Sequence, residues 1–206
     1  MIEIYATSRP QDGGKANEDA FFIHRGTIPF AALCDGAGKA EQSAKRALSF
    51  FEKLFKEAKR DDIDRFPTWV RWVKLLDSSL LGGNQSTFIA IAVLEDRYVG
   101  TCVGDSRVYL RDRDGQIHII TENAVTYRLG SGKVDPFPIY LPCNRGDLLL
   151  LMSGGAWTPL NINSLKKLIN KSLFGHLSEL PPAILDEAGK DGKGDDMTVI
   201  AMKKTN

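Results

Sequence analysis

The sequence predicts an α+β fold in which antiparallel β-sheets pack together and helices lie outside them. Residues 41–59 and 67–80 repeat apolar side chains at helical spacing. Residues 88–121 form short β-rich segments joined by tight turns, which connect antiparallel neighbours rather than parallel strands. Because the helical stretches lie between sets of strands along the chain, helices and sheets are expected to form separate layers.

Three strands are predicted at the beginning of the chain. Residues 2–7 alternate apolar and polar side chains, as a half-buried strand does. Residues 20–23 and 28–34 are apolar runs on either side of Arg25-Gly26-Thr27, which predicts a hairpin. The second run ends in Asp35, followed by a turn of small residues.

Two amphipathic helices are predicted next. The first covers residues 41–59, and a polar link at 61–64 separates it from a second helix that begins at Pro67. Residues 88–121 are then predicted to form a continuous antiparallel meander.

The last third of the chain alternates loops, strands and short helices. Residues 126–140 are predicted to be an irregular surface loop, followed by an apolar strand at 147–152. Asn163 is predicted to cap a helix, and residues 182–188 to form a shorter one. The chain is expected to end in a strand at residues 197–202.

Composition indicates one ordinary globular domain covering residues 1–206. The chain is 43% hydrophobic and 26% charged, with a net charge of +1, so it shows no general attraction for nucleic acid or membranes. No apolar run approaches the length of a membrane helix, and no export signal is recognised. Three cysteines without paired spacing predict neither a disulfide framework nor a zinc site, which favours a cytoplasmic location.

Acidic residues follow several of the apolar runs. Asp35, at the end of a predicted buried strand, requires either a metal ion or hydrogen-bond donors to compensate its charge, or it caps the following helix. The neighbouring carboxylates of Glu18 and Asp19 are either a metal ligand with its supporting group or a solvated turn. Taken singly, these turns leave both interpretations open.

Six segments, taken in order, resemble the motifs of one protein family. They are Asn17-Glu18-Asp19-Ala20, Cys34-Asp35-Gly36-Ala37-Gly38, Gln85-Ser86-Thr87, Val103-Gly104-Asp105-Ser106-Arg107, Leu149-Leu150-Leu151-Met152-Ser153 and Gly194-Asp195-Asp196-Met197-Thr198-Val199. In order and spacing they are similar to the metal-dependent protein phosphatases, the PPM or type 2C family. The resemblance implies a four-layer αββα sandwich of two antiparallel sheets flanked by helices, with a two-metal Mn or Mg site.

The same resemblance implies a role for each acidic residue. Asp35 would bridge two ions, with Glu18 and the carbonyl of Gly36 on one ion and Asp195 on the other. Asp19 would orient metal-bound waters. Asp105 matches the position that helps bind a third, weaker ion in bacterial members.

The sequence departs from the family pattern at two places. Gly154 stands where the family has a metal-ligating Asp, so one metal position lacks a ligand. The Arg that grips substrate phosphate is also missing, since its position falls on Gly14. Lys15 is the candidate replacement, acting as a point charge without a bidentate fork, although a solvated loop lysine is an equal alternative.

Two functions follow from the resemblance. The first is a serine/threonine phosphatase that hydrolyses phosphoserine and phosphothreonine by attack of a metal-bridging hydroxide. The expected partner is a phosphorylated protein from a Ser/Thr kinase system, and the expected state is a monomer. The second is a pseudophosphatase, a regulatory or binding module with the same fold and little turnover. Five clustered carboxylates favour the first function, whereas Gly14 and Gly154 favour the second.

Overall fold

A computed structural model describes residues 1–10, 16–37, 41–124, 127–172, 175–191 and 194–205. The strands are β1 (Ile2–Arg9), β2 (Ala20–His24), β3 (Phe30–Cys34), β4 (Phe88–Val93), β5 (Arg97–Val103), β6 (Arg107–Arg111), β7 (Ile117–Ile119), β8 (Phe137–Pro142), β9 (Leu148–Met152) and β10 (Met197–Lys204). The α-helices are α1 (Glu41–Glu57), α2 (Arg60–Ile63), α3 (Phe66–Leu80), α4 (Gly154–Trp157), α5 (Ile162–Ser172) and α6 (Leu180–Ala188).

The strands form two five-stranded sheets in which every neighbouring pair is antiparallel. The first sheet has the order β1-β10-β9-β6-β7 and the second the order β2-β3-β4-β5-β8. β1 pairs with β10 from Ile2↔Lys204 to Arg9↔Met197, so the two ends of the chain lie side by side. The predicted hairpin is confirmed, because β2 pairs with β3.

The alternation of side chains in β3 shows how the layers are stacked. Ala31 and Leu33 point into the apolar core between the two sheets, which also contains Ile89 and Ile200. The opposite face, which α1 and α3 cover, carries the side chains of Phe30, Ala32 and Cys34. All five residues of β3 are buried, as expected of a central strand covered on both faces.

Helices cover the outer faces of both sheets. On the second sheet, Phe51 of α1 packs among Trp69 and Trp72 of α3, with its ring centre 5.1 Å from that of Phe88. On the first sheet, Leu165 of α5 and several residues of α6 pack against the apolar face of β9 and β10. The order of layers is therefore helix, sheet, sheet, helix, and the predicted αββα sandwich is confirmed.

The prediction of a continuous meander over residues 88–121 was wrong in part: β4 pairs with β5 and β6 with β7, both antiparallel, but β5 does not pair with β6. β4 and β5 pair in the second sheet, whereas β6 and β7 pair in the first. The short segment between β5 and β6 therefore carries the chain from one sheet to the other. Gly104 has a φ of +92°, a conformation that glycine adopts without strain, and its turn places Asp105 at the end of the sandwich.

The irregular loop predicted for residues 126–140 was also wrong in part. Its last residues begin β8, which forms one edge of the second sheet. Pro138 and Pro142 lie in this strand. Proline is tolerated in an edge strand because the side that lacks the N–H can face away from the neighbouring strand, so no hydrogen bond of the sheet is lost.

The helix predictions were correct in type and inexact at their ends. The predicted polar link contains α2, and α5 begins one residue before Asn163. Asn161 occupies the capping place instead, since its Oδ1 accepts a hydrogen bond of 2.9 Å from the amide of Ser164. Across the described ranges, every helix is too short or too polar to cross a membrane.

Candidate active site

Asp35 follows β3 directly and is fixed by the segment that leads into β4. The amide of Asp35 donates to Thr87 Oγ1 at 3.0 Å, and the amide of Thr87 donates to the carbonyl of Asp35 at 2.8 Å. Ser86 Oγ donates to the same carbonyl at 3.0 Å. Both hydroxyl residues are fully buried, so the backbone of Asp35 is held rigidly at the mouth of the sheet.

The carboxylate of Asp35 points toward the start of α4. Its Oδ2 accepts a hydrogen bond of 2.8 Å from the amide of Gly154. A Cβ atom at position 154 would lie 3.1 Å from that same oxygen. Gly154, the position where the phosphatase pattern has a ligating Asp, is therefore in direct contact with Asp35.

Asp19 is the most deeply buried carboxyl group of the site. Its residue is 6% exposed, and its Oδ2 has no hydrogen-bond partner among the described residues. Burial, helped by the charge of Asp35, raises the pKa of Asp19 to about 8, although the hydroxyls of Thr198 and Ser153 oppose the shift. An unpartnered buried carboxyl oxygen costs free energy, which a bound cation would offset.

The pKa of Asp35 is also raised, to about 6. Burial is the main cause, and the charges of Asp105 and Asp195 act in the same direction. The Gly154 amide and the positive charge of Arg128 act in the opposite direction. Four of the predicted acidic residues therefore lie close enough to interact, because Asp35 is affected by Asp105 and Asp195 and in turn affects Asp19.

Glu18 and Asp195 are joined through a residue that the sequence analysis did not single out. The amide of Glu18 donates to Asp196 Oδ2 at 2.5 Å, across 178 positions of sequence. The amide of Asp196 in turn donates to Asp195 Oδ1 at 2.9 Å. This contact brings the start of β2 and the start of β10 together, so that Glu18 and Asp195 lie at the same end of the sandwich.

Asp105 lies in the turn between the two sheets and is paired with a guanidinium. Arg128 Nη2 is 3.1 Å from Asp105 Oδ1 and 3.3 Å from Oδ2. Trp157 Nε1 donates to the carbonyl of Asp105 at 3.0 Å, and Arg107 stacks over the Trp157 ring at 4.1 Å. The turn is thus held from both its backbone and its side chain.

The residues present fit a divalent ion at Asp35 in the manner that Mg²⁺ prefers. In the described part of the chain, no three His, Cys, Asp or Glu side chains form a group that could hold a metal ion. Mg²⁺, however, is usually bound by one or two carboxylates together with waters and substrate oxygens rather than by a complete protein cage. Such an ion would give the buried Asp19 Oδ2 a partner, and its positive charge would lower the raised pKa values of Asp19 and Asp35.

Sequence reasoning identified part of this site. Gly36 forms an isolated bridge with Ser86, so its backbone is held by the same segment that fixes Asp35. Lys15, the candidate phosphate-binding residue, and Gly14 lie outside the described residues. Arg128 was missed because nothing in its surrounding sequence marks it, whereas Asp196 carried a signal as the second carboxylate of an acidic pair.

The fold is that of bacterial serine/threonine protein phosphatases. The chain is similar to the catalytic domain of the phosphatase PstP in complex with two manganese ions, with a TM-score of 0.84, 21% identity, and coverage of 100% of this chain and 99% of that one. It is also similar to PstP/Ppp of Mycobacterium tuberculosis (TM-score 0.85, 20% identity, coverage 100% and 99%). Stp1 of Staphylococcus aureus matches with a TM-score of 0.86, 21% identity, and coverage of 100% and 96%.

These similarities confirm the predicted resemblance at the level of the fold. No protein-family model matches the chain. No curated protein matches it either. About one residue in five is identical, so the arrangement of the strands is shared while most side chains differ. The chemistry of the site therefore depends on the residues that this chain places there.

Proposed function

We propose that this protein is a metal-dependent phosphatase that hydrolyses phosphoserine and phosphothreonine in protein substrates. The observation that carries the proposal is the buried Asp19, with a carboxyl oxygen that has no partner among the described residues. It lies close to the half-buried Asp35 at the end of a sandwich shared with serine/threonine phosphatases. Carboxylates clustered at this cost are typical of a site that binds a cation.

Each residue would have a separate task. Asp35, Glu18, Asp195 and the carbonyl of Gly36 would hold Mn or Mg, whose chemistry when bound is Lewis-acid activation of water and neutralisation of phosphoryl charge. Asp35 is fixed for this task by Thr87 and Ser86. Asp19 would accept hydrogen bonds from water at its free oxygen and so orient the nucleophile.

The surroundings of Asp19 leave space for a peptide. A cleft of about 460 Å³ is lined by Asn17, Asp19, Phe21, Lys45 and Glu52, among others. The lining includes the apolar rings of Phe21 and Phe22 and charges of both signs, which suits an extended segment on either side of a phosphorylated residue. Lys15 precedes this region in sequence and is proposed to contact the phosphate.

The pseudophosphatase remains the second candidate, because specific features favour it. Gly154 supplies a backbone N–H to Asp35 where a carboxylate ligand is expected, so one oxygen of Asp35 has a partner without a metal. Asp105 is likewise satisfied by Arg128. Such a protein would keep the fold and bind a phosphoprotein with little turnover.

The experiment is hydrolysis of a phosphothreonine peptide with and without Mn²⁺, measured as phosphate release. The wild type should show Mn²⁺-dependent turnover, and Asp35→Asn should lower it by at least about 100-fold, because even a residue that only supports a ligand contributes 10 to 100-fold. Asp114→Asn, an exposed aspartate in the turn before β7, is the matched control and should be unaffected.

The Gly154→Asp variant separates the two functions. If the wild type does not hydrolyse the peptide and Gly154→Asp does, the natural protein is a binding module with an intact fold. Wild-type turnover that is equal in EDTA and in Mn²⁺ would contradict both functions.

We further propose that the protein acts as a monomer in the cytoplasm, on products of a serine/threonine kinase system. The cysteines Cys34, Cys102 and Cys143 are buried and unpaired, which suits a reducing compartment. Sedimentation of the purified chain tests the oligomeric state.

A further inference from the structure

Arg128 is placed at the acidic end of the sandwich by its backbone as well as by its charge. Its guanidinium lies 3.1 Å from Asp105, and its side chain is 27% exposed, whereas that of Asp105 is 44% exposed. The same positive charge also reaches Asp35. Arg128 is thus a cation of the protein itself, located among the predicted metal ligands.

The segment that carries Arg128 is anchored immediately after this residue in the chain. The amide of Leu129 donates to the carbonyl of Ser86 at 2.8 Å, and the amide of Ser86 donates back at 3.2 Å. Leu129 itself is fully buried in the core under α3. Because Ser86 also binds the carbonyl of Asp35, one residue fixes both Arg128 and Asp35.

The residues that follow Leu129 are held by a buried carboxylate. Asp77 of α3 is 6% exposed, and its Oδ1 accepts the amides of Gly130 at 2.7 Å and Gly132 at 3.2 Å. Both glycines have positive φ angles, of 87° and 70°, which the tight turn requires. The position of Arg128 is therefore built by the scaffold and does not depend only on its contact with Asp105.

The charges explain why a guanidinium is suited to this place. The resemblance assigns to Asp105, together with a second Asp at position 154, a weak third divalent ion. Here Gly154 has removed one of the two negative charges. A single carboxylate is balanced by a single positive charge, and a guanidinium supplies that charge at any physiological pH without a bound ion.

We propose that Arg128 replaces the third metal ion of the phosphatase pattern, so that Asp105 in this protein binds Arg128 and not a metal. The inference rests on the proposed function, since it concerns the ions of the same site. The number of ions that the protein binds should then be independent of Asp105.

The test is calorimetric titration of the full chain with Mn²⁺. In the wild type, Asp105→Asn should leave the number of bound ions unchanged. In the double variant Gly154→Asp with Arg128→Gln, one further Mn²⁺ should bind, because both carboxylates are then present and the competing guanidinium is gone. Adding Asp105→Asn to that double variant should remove the extra ion.

Arg128→Lys provides the control for charge, and circular dichroism in EDTA confirms that each variant is folded. Combined with Gly154→Asp, Arg128→Lys should keep the extra ion from binding. The proposal is overturned if Asp105→Asn costs the wild type an ion, a measurement that needs no destabilising change. It is also overturned if Gly154→Asp alone gains an ion that depends on Asp105.

The titration measures the number of bound ions and not turnover, so the role of Arg128 and the proposed phosphatase activity can be contradicted separately. A protein that binds Mn²⁺ at Asp35, leaves Asp105 free of metal and hydrolyses nothing contradicts the proposed function alone. A protein that hydrolyses the peptide and loses one ion in Asp105→Asn contradicts the role of Arg128 alone.

Discussion

Two adjacent glycines at the start of α4 show how differently neighbouring positions of the site are constrained. A Cβ atom at Gly155 would lie 2.3 Å from the carbonyl oxygen of Asp196 and 3.0 Å from Asp195 Cβ. The first of these is a backbone atom just before β10 and cannot turn aside as a side chain can. A Cβ atom at Gly154 would meet only Asp35 Oδ2, at 3.1 Å, which is the end of a side chain. Position 155 therefore has no space for a side chain, whereas position 154 accepts one after a small shift.

We expect Gly155→Ala to lower the free energy of unfolding by about 1–3 kcal/mol, the usual cost of overpacking. Gly154→Ala, its neighbour and control, should cost less than about 1 kcal/mol. Urea unfolding followed by tryptophan fluorescence measures both. Equal losses in the two variants would show that the backbone around Asp196 yields more easily than the structure indicates.

Asp19 gives the metal-free protein a pH-dependent stability whose sign can be stated. Its pKa rises from 3.8 to about 8 on folding, so the folded state holds the proton more tightly than the unfolded state. The associated stability is complete below about pH 4 and is lost as the pH rises toward 8. In EDTA we expect the wild type to lose at least about 1.4 kcal/mol across this range, the equivalent of one pKa unit.

Asp19→Asn remains uncharged and should reduce this dependence, leaving the part between about pH 4 and 6 that Asp35 contributes. Unfolding in EDTA at several pH values measures it. Asp114→Asn is the control and should follow the wild type. If Asp19→Asn keeps the full slope, another group causes it, and the burial of Asp19 is not responsible.

At the scale of single residues, the sequence drew attention to carboxylates that follow apolar runs and gave little information on their partners. Asp35 was found because it ends a buried apolar strand, and Asp105 because it follows another. Arg128 lies on a segment without regular periodicity, so only the folded chain shows its approach to Asp105. Interactions between distant segments leave no local pattern in the sequence.

At the scale of elements, Asp77 connects a helix to the segment that carries Arg128. Replacing it with Ala would leave the amides of Gly130 and Gly132 without their acceptor, at a cost of about 1–3 kcal/mol for an unsatisfied buried group. We expect Asp77→Ala to lower stability by this amount and to speed hydrogen exchange at both glycine amides by about 10-fold or more.

Asp61→Ala, on the exposed side of the short helix α2, is the matched control. Its effect should remain within about 0.5 kcal/mol, as for most surface substitutions. Unchanged exchange at the two glycines in Asp77→Ala would mean that Leu129 and its bridge to Ser86 hold the segment without help from α3.

Elements with a strong pattern were predicted, and those that depend on tertiary neighbours were not. The uniformly apolar β3 and β9 and the amphipathic α1 and α3 could be identified from spacing alone. β8 was missed because its prolines are acceptable only at a sheet edge, and edge position is not visible in a local sequence. The change of sheet at Gly104 was missed because a tight turn looks the same within a sheet and between sheets.

At the scale of the whole molecule, the sandwich brings together carboxylates that are far apart in sequence. β1 and β10 join the two ends of the chain, and this places Glu18 beside Asp196. β3 and β9 lie in different sheets, yet Asp35 and Gly154 at their ends are in hydrogen-bond contact. The αββα architecture was predicted from the resemblance of the ordered motifs. Periodicity alone predicts helices and sheets in separate layers but not which strands share a sheet.

The most direct test of a metal at Asp35 is an anomalous diffraction map at the manganese edge from crystals grown with Mn²⁺. We expect a peak within coordination distance of Asp35, about 2.0–2.3 Å from its carboxylate. We expect no peak at Asp105, where Arg128 should remain. A map without a peak at Asp35 would contradict a metal-dependent phosphatase, and a peak on Asp105 would contradict the replacement of the third ion by Arg128.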